Sequence, residues 1–224
     1  MRFDGKAFGA EPIFTDKLGY VQHLDTGALS KIAEEAEIEI SILAIPGKLV
    51  ATGTPIAWAK GKVDDDVKSD VSACLTISDV RSFDQDPRFG AAVLAEIASR
   101  SLSQAINDPG TAIDLTTRAL RVLVAWHDEA VEQPEALYPR LYIAQVTVDE
   151  LFDDLFSLIA RDGAGLVEVG LRLQKALVLI SEYGGEYAEN ARRHSKDALA
   201  RADAVLHIDA DREKLRRAAR PLMR

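Results

Sequence analysis

The sequence predicts an α+β fold that is predominantly α-helical, with a small N-terminal mixed β module packed on a multi-helix C-terminal part. Apolar residues recur at helical spacing through most of the chain after residue 62. Isoleucines alternate with other residues over 38–42, as in a strand that buries one face. A Pro-Gly pair at 46–47 and Gly53 mark turns close to that strand. We therefore predict a small α/β module over 1–62 and a mainly helical domain over 63–224, or one continuous domain.

Composition limits the class of protein. The 224 residues are 47% hydrophobic, which is enough to bury a substantial core. No run approaches the roughly 20 apolar residues that a membrane-spanning helix needs, and the start MRFDGKAFG lacks the apolar part of a signal peptide, so we expect the chain as given to be soluble. A net charge of −9 disfavours nonspecific nucleic-acid binding. The single cysteine, Cys74, excludes an internal disulfide and favours a reducing compartment.

The N-terminal module is predicted to contain short strands and one helix. Tyr20 and Val21 favour a strand over 18–24, after which Asp25 or Thr26 would cap a helix. The turns at the Pro-Gly pair and at the following glycine separate further strands. These further strands are predicted over 38–44, 48–51 and 55–59.

A helix and a short strand are predicted between the module and the central stretch. Val67, Val71 and Cys74 follow a helical period, which favours Cys74 as a small buried side chain rather than a reactive thiol. Residues 77–83 would then form a short strand. The helical domain thus begins with elements that lead directly into its most polar part.

Two capped helix starts distinguish the central stretch, which covers residues 84–114. Asp86 precedes Pro87, and Asp108 precedes Pro109. This order suits a carboxylate that caps the helix and a proline at the first helical position, where no hydrogen bond is lost. Because the link between the two helices is short, the second helix must turn back beside the first or cross it closely.

The central stretch also resembles a known family. Its residues DQDPRFG and LAEIASRSLSQAINDPGTAID are similar to the central signature of the bacterial predicted-membrane-protein family called domain of unknown function 2254. The earlier segment LGYVQHLDTGALSKIAEEAEIEISILAIPGKLVATGTPIA resembles that family's GYVQ, PG and G-PL elements in the same order. The sequence departs from the family at Gln104 and Ala105, where proline and glycine are usual. The resemblance implies no known activity, but it does imply transmembrane helices ahead of this segment.

The chain beyond the central stretch is predicted to be helical with one further strand. Residues 141–148 should pair with the N-terminal strands or form an edge. Asp149 is predicted to cap the next helix, and Asp209 to cap a last, basic helix through Arg217. The other predicted boundaries are a helix end near Gln133, a break at 163–165, a helix from Leu166 to the Gly184-Gly185 pair, and a helix from Tyr187 to Val205.

The polar residues of the central stretch and those just before it form the candidate functional cluster, although no catalytic residue and no cofactor can be assigned. Carboxylates are preferred ligands of Mg²⁺ and Ca²⁺, but their spacing here matches no standard metal-binding loop. The helix start at Asp108 offers N–H groups to an anionic ligand, while the Asp108 carboxylate already supplies an acceptor and repels an anion. The cluster consists of Arg81, Asp84, Gln85, Asp86, Arg88, Glu96, Arg100, Asn107, Asp108 and Thr111.

We expect a cytoplasm-facing domain of a bacterial membrane protein that acts as an interaction, assembly or ligand-sensing module. The alternative is a metal-assisted hydrolase that uses Asp84, Asp86, Glu96, Asn107 and Asp108. An enzyme needs these side chains to converge in an open cleft, whereas a structural signature engages them in helix caps and buried hydrogen bonds. No nucleophile elbow, phosphate loop or metal-ligand spacing in the sequence favours the enzyme.

The expected partners are a membrane, reached through a preceding transmembrane region, and further copies of the chain. The helices over 166–205 carry more apolar and alanine surface than a small sheet requires, which predicts a homo-oligomer, most simply a dimer. Lys and Arg outnumber Asp and Glu over 192–224, where contact with anionic lipid is one interpretation and a solvated helix face is the simpler one. We expect no nucleic-acid partner, and no small-molecule ligand is identified.

Overall fold

The computed structural model describes residues 10–131 and 137–223. The fold is α+β and mostly helical, as the sequence predicts. Within the described residues the chain forms two compact units, the first made of 10–89 with 137–145 and the second of 90–131 with 146–223. The units therefore divide the chain later than the predicted boundary after residue 62, and the first unit also includes a segment that lies much later in the sequence.

The first unit contains two small sheets and two helices. In chain order its elements are β1 (Glu11–Phe14), β2 (Gly19–Leu24), α1 (Thr26–Glu35), β3 (Glu39–Ile42), β4 (Leu49–Val50), β5 (Pro55–Lys60), α2 (Asp65–Ala73), β6 (Leu75–Ser78) and β7 (Leu141–Ile143). One sheet has the strand order β1-β5-β3-β7, and the other has the order β4-β2-β6. All strand pairs are antiparallel except β3 with β7, which is parallel.

The core of the first unit lies where the sheets meet α1 and α2. Ile40 and Ile42 are fully buried, as their alternation in the sequence predicts, and they pack with Leu29 and Ala33 of α1. The predicted late strand does pair with an N-terminal strand and forms a sheet edge, although it ends at Ile143. Strand β1 was not predicted, because its four residues are too few to show a period.

The second unit is helical. Its elements are α3 (Pro87–Ser101), which begins in the first unit, α4 (Pro109–Val131), α5 (Val148–Asp162), α6 (Val167–Ser181), α7 (Gly185–Val205), α8 (Asp209–Ala219) and a short 3-10 turn (Arg220–Met223). The main core cluster includes Phe152 and Phe156 of α5 together with Leu177 of α6 and Ala191 of α7. No helix within the described ranges is both long and apolar enough to cross a bilayer.

The helix caps agree with the sequence prediction at some positions and correct it at others. Asp25 caps α1 by accepting from the N–H of Ala28 at 2.9 Å. Helix α5 instead begins with a capping box, in which Thr147 and Glu150 bond each other's backbone N–H groups, so the prediction of Asp149 as the cap was wrong. Asp209 was also predicted wrongly, because it is the first residue of α8 and the preceding residue makes no side-chain cap.

A buried histidine lies in the core of the second unit. His194 is 4% exposed, and its ring centroid lies 5.6 Å from that of Phe152. The Nε2 atom is 3.2 Å from Oδ1 of Asp153, but the contact lacks the direction of a hydrogen bond. Burial lowers the pKa of His194 below its ordinary value of 6.5, and Arg193 lowers it further.

We predict that the stability of the protein decreases as the pH falls below about 6.5, because the unfolded chain then binds a proton that buried His194 does not. The stability that neutral His194 contributes is fully present above that pH and is lost as the pH falls. The free energy of unfolding then decreases by no more than about 1.4 kcal/mol per pH unit. Thermal denaturation between about pH 7.5 and 5.5 should show a shallower decrease for His194→Gln than for the wild type. His207→Gln removes an exposed histidine and should keep the wild-type slope. An unchanged slope in His194→Gln would contradict the prediction.

Candidate functional site

The carboxylate of Asp86 is the centre of the candidate residues in the first unit. It is 2% exposed and accepts two hydrogen bonds from Arg81, at 2.7 Å from Nε and 2.9 Å from a terminal nitrogen. Its Oδ1 also accepts from the N–H of Phe89 at 3.0 Å, so Asp86 caps α3 as predicted. A buried carboxylate is costly unless it is paired and hydrogen-bonded, and both conditions are met here.

The backbone of Gly47 packs against the Asp86 carboxylate. A Cβ at this position would lie 2.5 Å from Oδ2 of Asp86, and the backbone has a φ of +90°, which favours glycine. The Gly47 N–H donates to the carbonyl of Val21 in β2 at 2.8 Å. The Pro-Gly turn and the Gln-Asp pair, which are distant in sequence, therefore meet at one point.

Gln85 joins the same region to the end of β2. Its Oε1 accepts from the N–H of Leu24 at 2.9 Å, and the next N–H, that of Asp25, donates to the carbonyl of Cys74 at 3.0 Å. On the same strand, Nε2 of Gln22 donates to the carbonyl of Val80 at 2.7 Å. The strand that carries the GYVQ segment is thus bonded to Gln85 through Leu24 and to Val80 through Gln22.

The remaining candidates of the first unit are close to Asp86 in the sequence. The Arg81 guanidinium lies over the ring of Phe89 at 5.0 Å, and the exposed ring of Phe83 stacks on Phe89 with a centroid separation of 4.4 Å. Asp84 is exposed and accepts from the hydroxyl of Ser82 at 2.9 Å. Arg88 lies in the first turn of α3 and is partly buried.

The candidates of the second unit form local contacts. Asp108 caps α4 as predicted, because it accepts from the N–H of Thr111 at 3.1 Å and from its hydroxyl at 2.6 Å. The hydroxyl of Thr111 is the main reason that the pKa of Asp108 lies below its ordinary value. Asn107 has a left-handed backbone with a φ of +49°. Glu96 and Arg100 form an exposed pair within α3 at 3.7 Å.

One polar contact of the second unit was not predicted. The hydroxyl of Ser99 donates to Oδ2 of Asp162 at 2.6 Å, and Arg161 donates two hydrogen bonds to the same carboxylate. Arg161 is the main cause of a lowered pKa at Asp162. Ser101 and Ser103 instead bond carbonyls of their own turn. A nucleophilic serine needs a nearby base that can take its proton, and the ionised partner of Ser99 is a weak one.

The chemistry available to these side chains is limited by the bonds they already make. Asp86 and Asp108 each direct an oxygen at a helix N-terminus, and Asp86 also neutralises Arg81. In the part of the chain that the structure describes, no three His, Cys, Asp or Glu side chains are grouped so that they could hold a metal ion. In each unit, the candidate aspartates therefore have the geometry of helix caps.

Comparisons with known proteins identify a family but no activity. A family model described as "Predicted membrane protein (DUF2254)" matches residues 2–178. Uncharacterized proteins of Mycobacterium bovis and of two strains of Mycobacterium tuberculosis are each 30% identical to this chain over 112 residues, which is 47% of the chain. The chain spans only 22% of the length of these curated relatives. No solved structure matches it.

We predict that Asp86→Asn destabilises the protein by about 3 kcal/mol, because it removes the charge that compensates Arg81 in a largely buried pair. Urea unfolding followed by circular dichroism measures this change. Asp84→Asn is the matched control, since its carboxylate is exposed, and it should change the free energy of unfolding by less than about 0.5 kcal/mol. Equal effects of the two substitutions would show that the Arg81 pair is not important for stability.

Proposed function

Because this chain belongs to the DUF2254 family of predicted membrane proteins, we propose that it forms a cytoplasm-facing module of a bacterial membrane protein. The module acts in interaction, assembly or ligand sensing, and the membrane-spanning part lies elsewhere in a longer protein. Relatives several times longer than the aligned segment leave room for such a part. The lone Cys74, which is partly buried, suits a reducing compartment on the cytoplasmic side.

The observation that carries this proposal over an enzyme is the engagement of the signature residues in structural bonds. Gln85 holds the end of β2, Asp86 caps α3 and binds Arg81, and Asp108 caps α4. A catalytic carboxylate must instead face a substrate with a free oxygen and a suitable pKa. The residues that resemble the family signature therefore stabilise the fold of the module.

The metal-assisted hydrolase has less support from the same geometry. Two of its candidate ligands, Asp86 and Asp108, are helix caps. A hard cation prefers several carboxylate oxygens directed at one point. Asp84, Glu96 and Asn107 are exposed, and the first two interact with Ser82 and with Arg100. We therefore favour the interaction module.

Assembly through further copies is the second part of the proposal. Leu173 belongs to the buried core, so any contact surface on the helices over 166–205 must use other residues. Leu179, Tyr183 and Val205 are exposed there, at 52%, 40% and 46%. A domain confined beside a membrane meets its own copies at a high effective concentration, so a modest patch is sufficient for dimerisation. The proposed interface is therefore centred on Leu179 and Tyr183.

We predict that the end of this chain lies in the cytoplasm. In bacterial cells, green fluorescent protein fused directly after the last residue of this chain within the natural protein should be fluorescent, because this reporter matures in the cytoplasm. Alkaline phosphatase at the same position should be inactive, since it needs disulfides that form outside the cytoplasm. Active phosphatase together with a dark fluorescent protein would contradict the proposed orientation.

We predict that the chain self-associates at high micromolar concentration. Light scattering should then report a mass above the 24.4 kDa of one chain. Leu179→Glu places a charge at the proposed interface and should return the mass to that of a monomer. Ile97→Glu, at an exposed apolar position outside these helices, is the matched control and should leave the mass unchanged. A monomeric wild type would refute the proposed self-association.

A further inference from the structure

One end of the first unit exposes a group of large apolar side chains. Leu49 of β4 pairs with Tyr20 of β2, and Tyr20 also pairs with Ser78 of β6, so these three residues form a row across the sheet. Leu18 immediately precedes β2 at this end, and it is 69% exposed while Leu49 is 57% exposed. Val80, which is 63% exposed, is tied to β2 through its carbonyl.

A fourth apolar side chain is joined to this group by the turn after β4. Phe14 ends β1 and is 49% exposed. The next residue, Thr15, is hydrogen-bonded to this turn twice. Its N–H donates to the carbonyl of Thr54, and its carbonyl accepts from the N–H of Gly53. We refer to Phe14, Leu18, Leu49 and Val80 as the apolar end of the unit.

The apolar end departs from the usual pattern of a sheet that is buried on one face. Val21 and Val50 point into the core and are at most 1% exposed, so alternation directs Tyr20 and Leu49 outward. Outward positions of such a sheet are normally polar. Single exposed leucines need no explanation, but several exposed apolar side chains at one end of a unit mark an interaction surface.

Two lysines flank the apolar end. Lys17 precedes Leu18 and Lys48 precedes Leu49, and both are exposed. Neither lysine forms an ion pair with a described carboxylate, and Nζ of Lys48 donates to the carbonyl of Leu43 at 3.1 Å. Several cations of the C-terminal helices are instead paired, for example Arg216 with Asp203 at 2.9 Å. Apolar side chains beside lysine ammonium groups are complementary to a bilayer surface, where acyl chains lie beneath headgroup phosphates.

Acidic residues are also close to this surface. Asp16 and Asp79 are exposed next to the apolar end, so its local charge is balanced and net charge alone does not drive the contact. Burial of the apolar side chains must supply the main attraction, and Lys17 and Lys48 add contacts to phosphate. Tyr20, which is partly exposed in the same row, has the amphipathic ring that is enriched at membrane interfaces.

We propose that the apolar end contacts the surface of a phospholipid bilayer, with Leu18 and Leu49 in the acyl boundary and Lys17 and Lys48 at headgroup phosphates. This inference rests on the proposed function, which holds the unit beside a membrane. It concerns a different surface from the self-association patch around Leu179 and from the Asp86 centre.

The test is co-sedimentation of the purified chain with sucrose-loaded vesicles, made either of phosphatidylcholine alone or with about 30 mol% phosphatidylserine. Wild type should bind both and should bind the anionic vesicles more tightly. Leu18→Ser with Leu49→Ser should weaken binding to both by about tenfold or more, because two partly exposed leucines lose their burial. Lys17→Ala with Lys48→Ala should remove most of the preference for anionic vesicles.

Matched controls keep the result specific. Ile97→Ser with Ile208→Ser removes two exposed apolar side chains of the second unit, and Lys175→Ala with Lys196→Ala removes two exposed lysines there. Both control pairs should bind like the wild type, and circular dichroism should report the same melting temperature for every variant. No binding by the wild type, or equal losses in the control variants, would overturn the proposal.

Two further outcomes separate this proposal from others. If the leucine variant changes the mass in light scattering and leaves vesicle binding intact, the apolar end is covered by a second copy and the lipid contact is refuted. If the reporter fusions place the chain in the cytoplasm while no vesicle binds, only the lipid contact is refuted and the proposed function stands.

Discussion

The buried charge of Asp86 is the constraint on which the architecture of the first unit depends. A carboxylate that is 2% exposed is tolerated only with a full set of partners, and Arg81 and the N–H of Phe89 supply them. Gly47 is equally constrained, because any side chain there would overlap the same carboxylate. The Pro-Gly turn, the arginine and the Gln-Asp pair therefore meet at the Asp86 carboxylate, whose loss leaves the largely buried Arg81 without its ion-pair partner.

This constraint changes how the polar signature is interpreted. An active site and a pair of helix caps both place many polar residues beside helix starts, so the sequence alone does not distinguish an active site from helix caps. The observed bonds engage Gln85, Asp86 and Asp108 with the backbone or with Arg81. Side chains without an internal role are then the better candidates for partner surfaces, such as those at the apolar end of the first unit and on the exposed side of α6 and α7.

The sequence was informative where the physical signal is local. The family resemblance, the mostly helical α+β class and the caps at Asp86 and Asp108 are confirmed, because periodicity and the Asp-Pro order can be recognised within a few residues. The start of α5 is also marked locally, because Thr147 and Glu150 form the Thr-x-x-Glu pattern of a capping box, and this pattern is the correct signal rather than Asp149. Contacts between distant segments, such as Gly47 with Asp86 or Ser99 with Asp162, leave no local trace and require the folded chain.

The measurement that most directly tests this account is a double-mutant cycle between Gly47→Ala and Asp86→Ala, followed by urea unfolding. The backbone strain of Gly47→Ala is the same in both backgrounds, whereas its overlap with the carboxylate exists only when Asp86 is present. If Asp86 and Gly47 are packed against each other, Gly47→Ala should lower the free energy of unfolding by at least about 1 kcal/mol less in the Asp86→Ala background than in the wild type. Costs that add to within about 0.5 kcal/mol would show that the two residues act independently, and would contradict the central role assigned to the buried carboxylate.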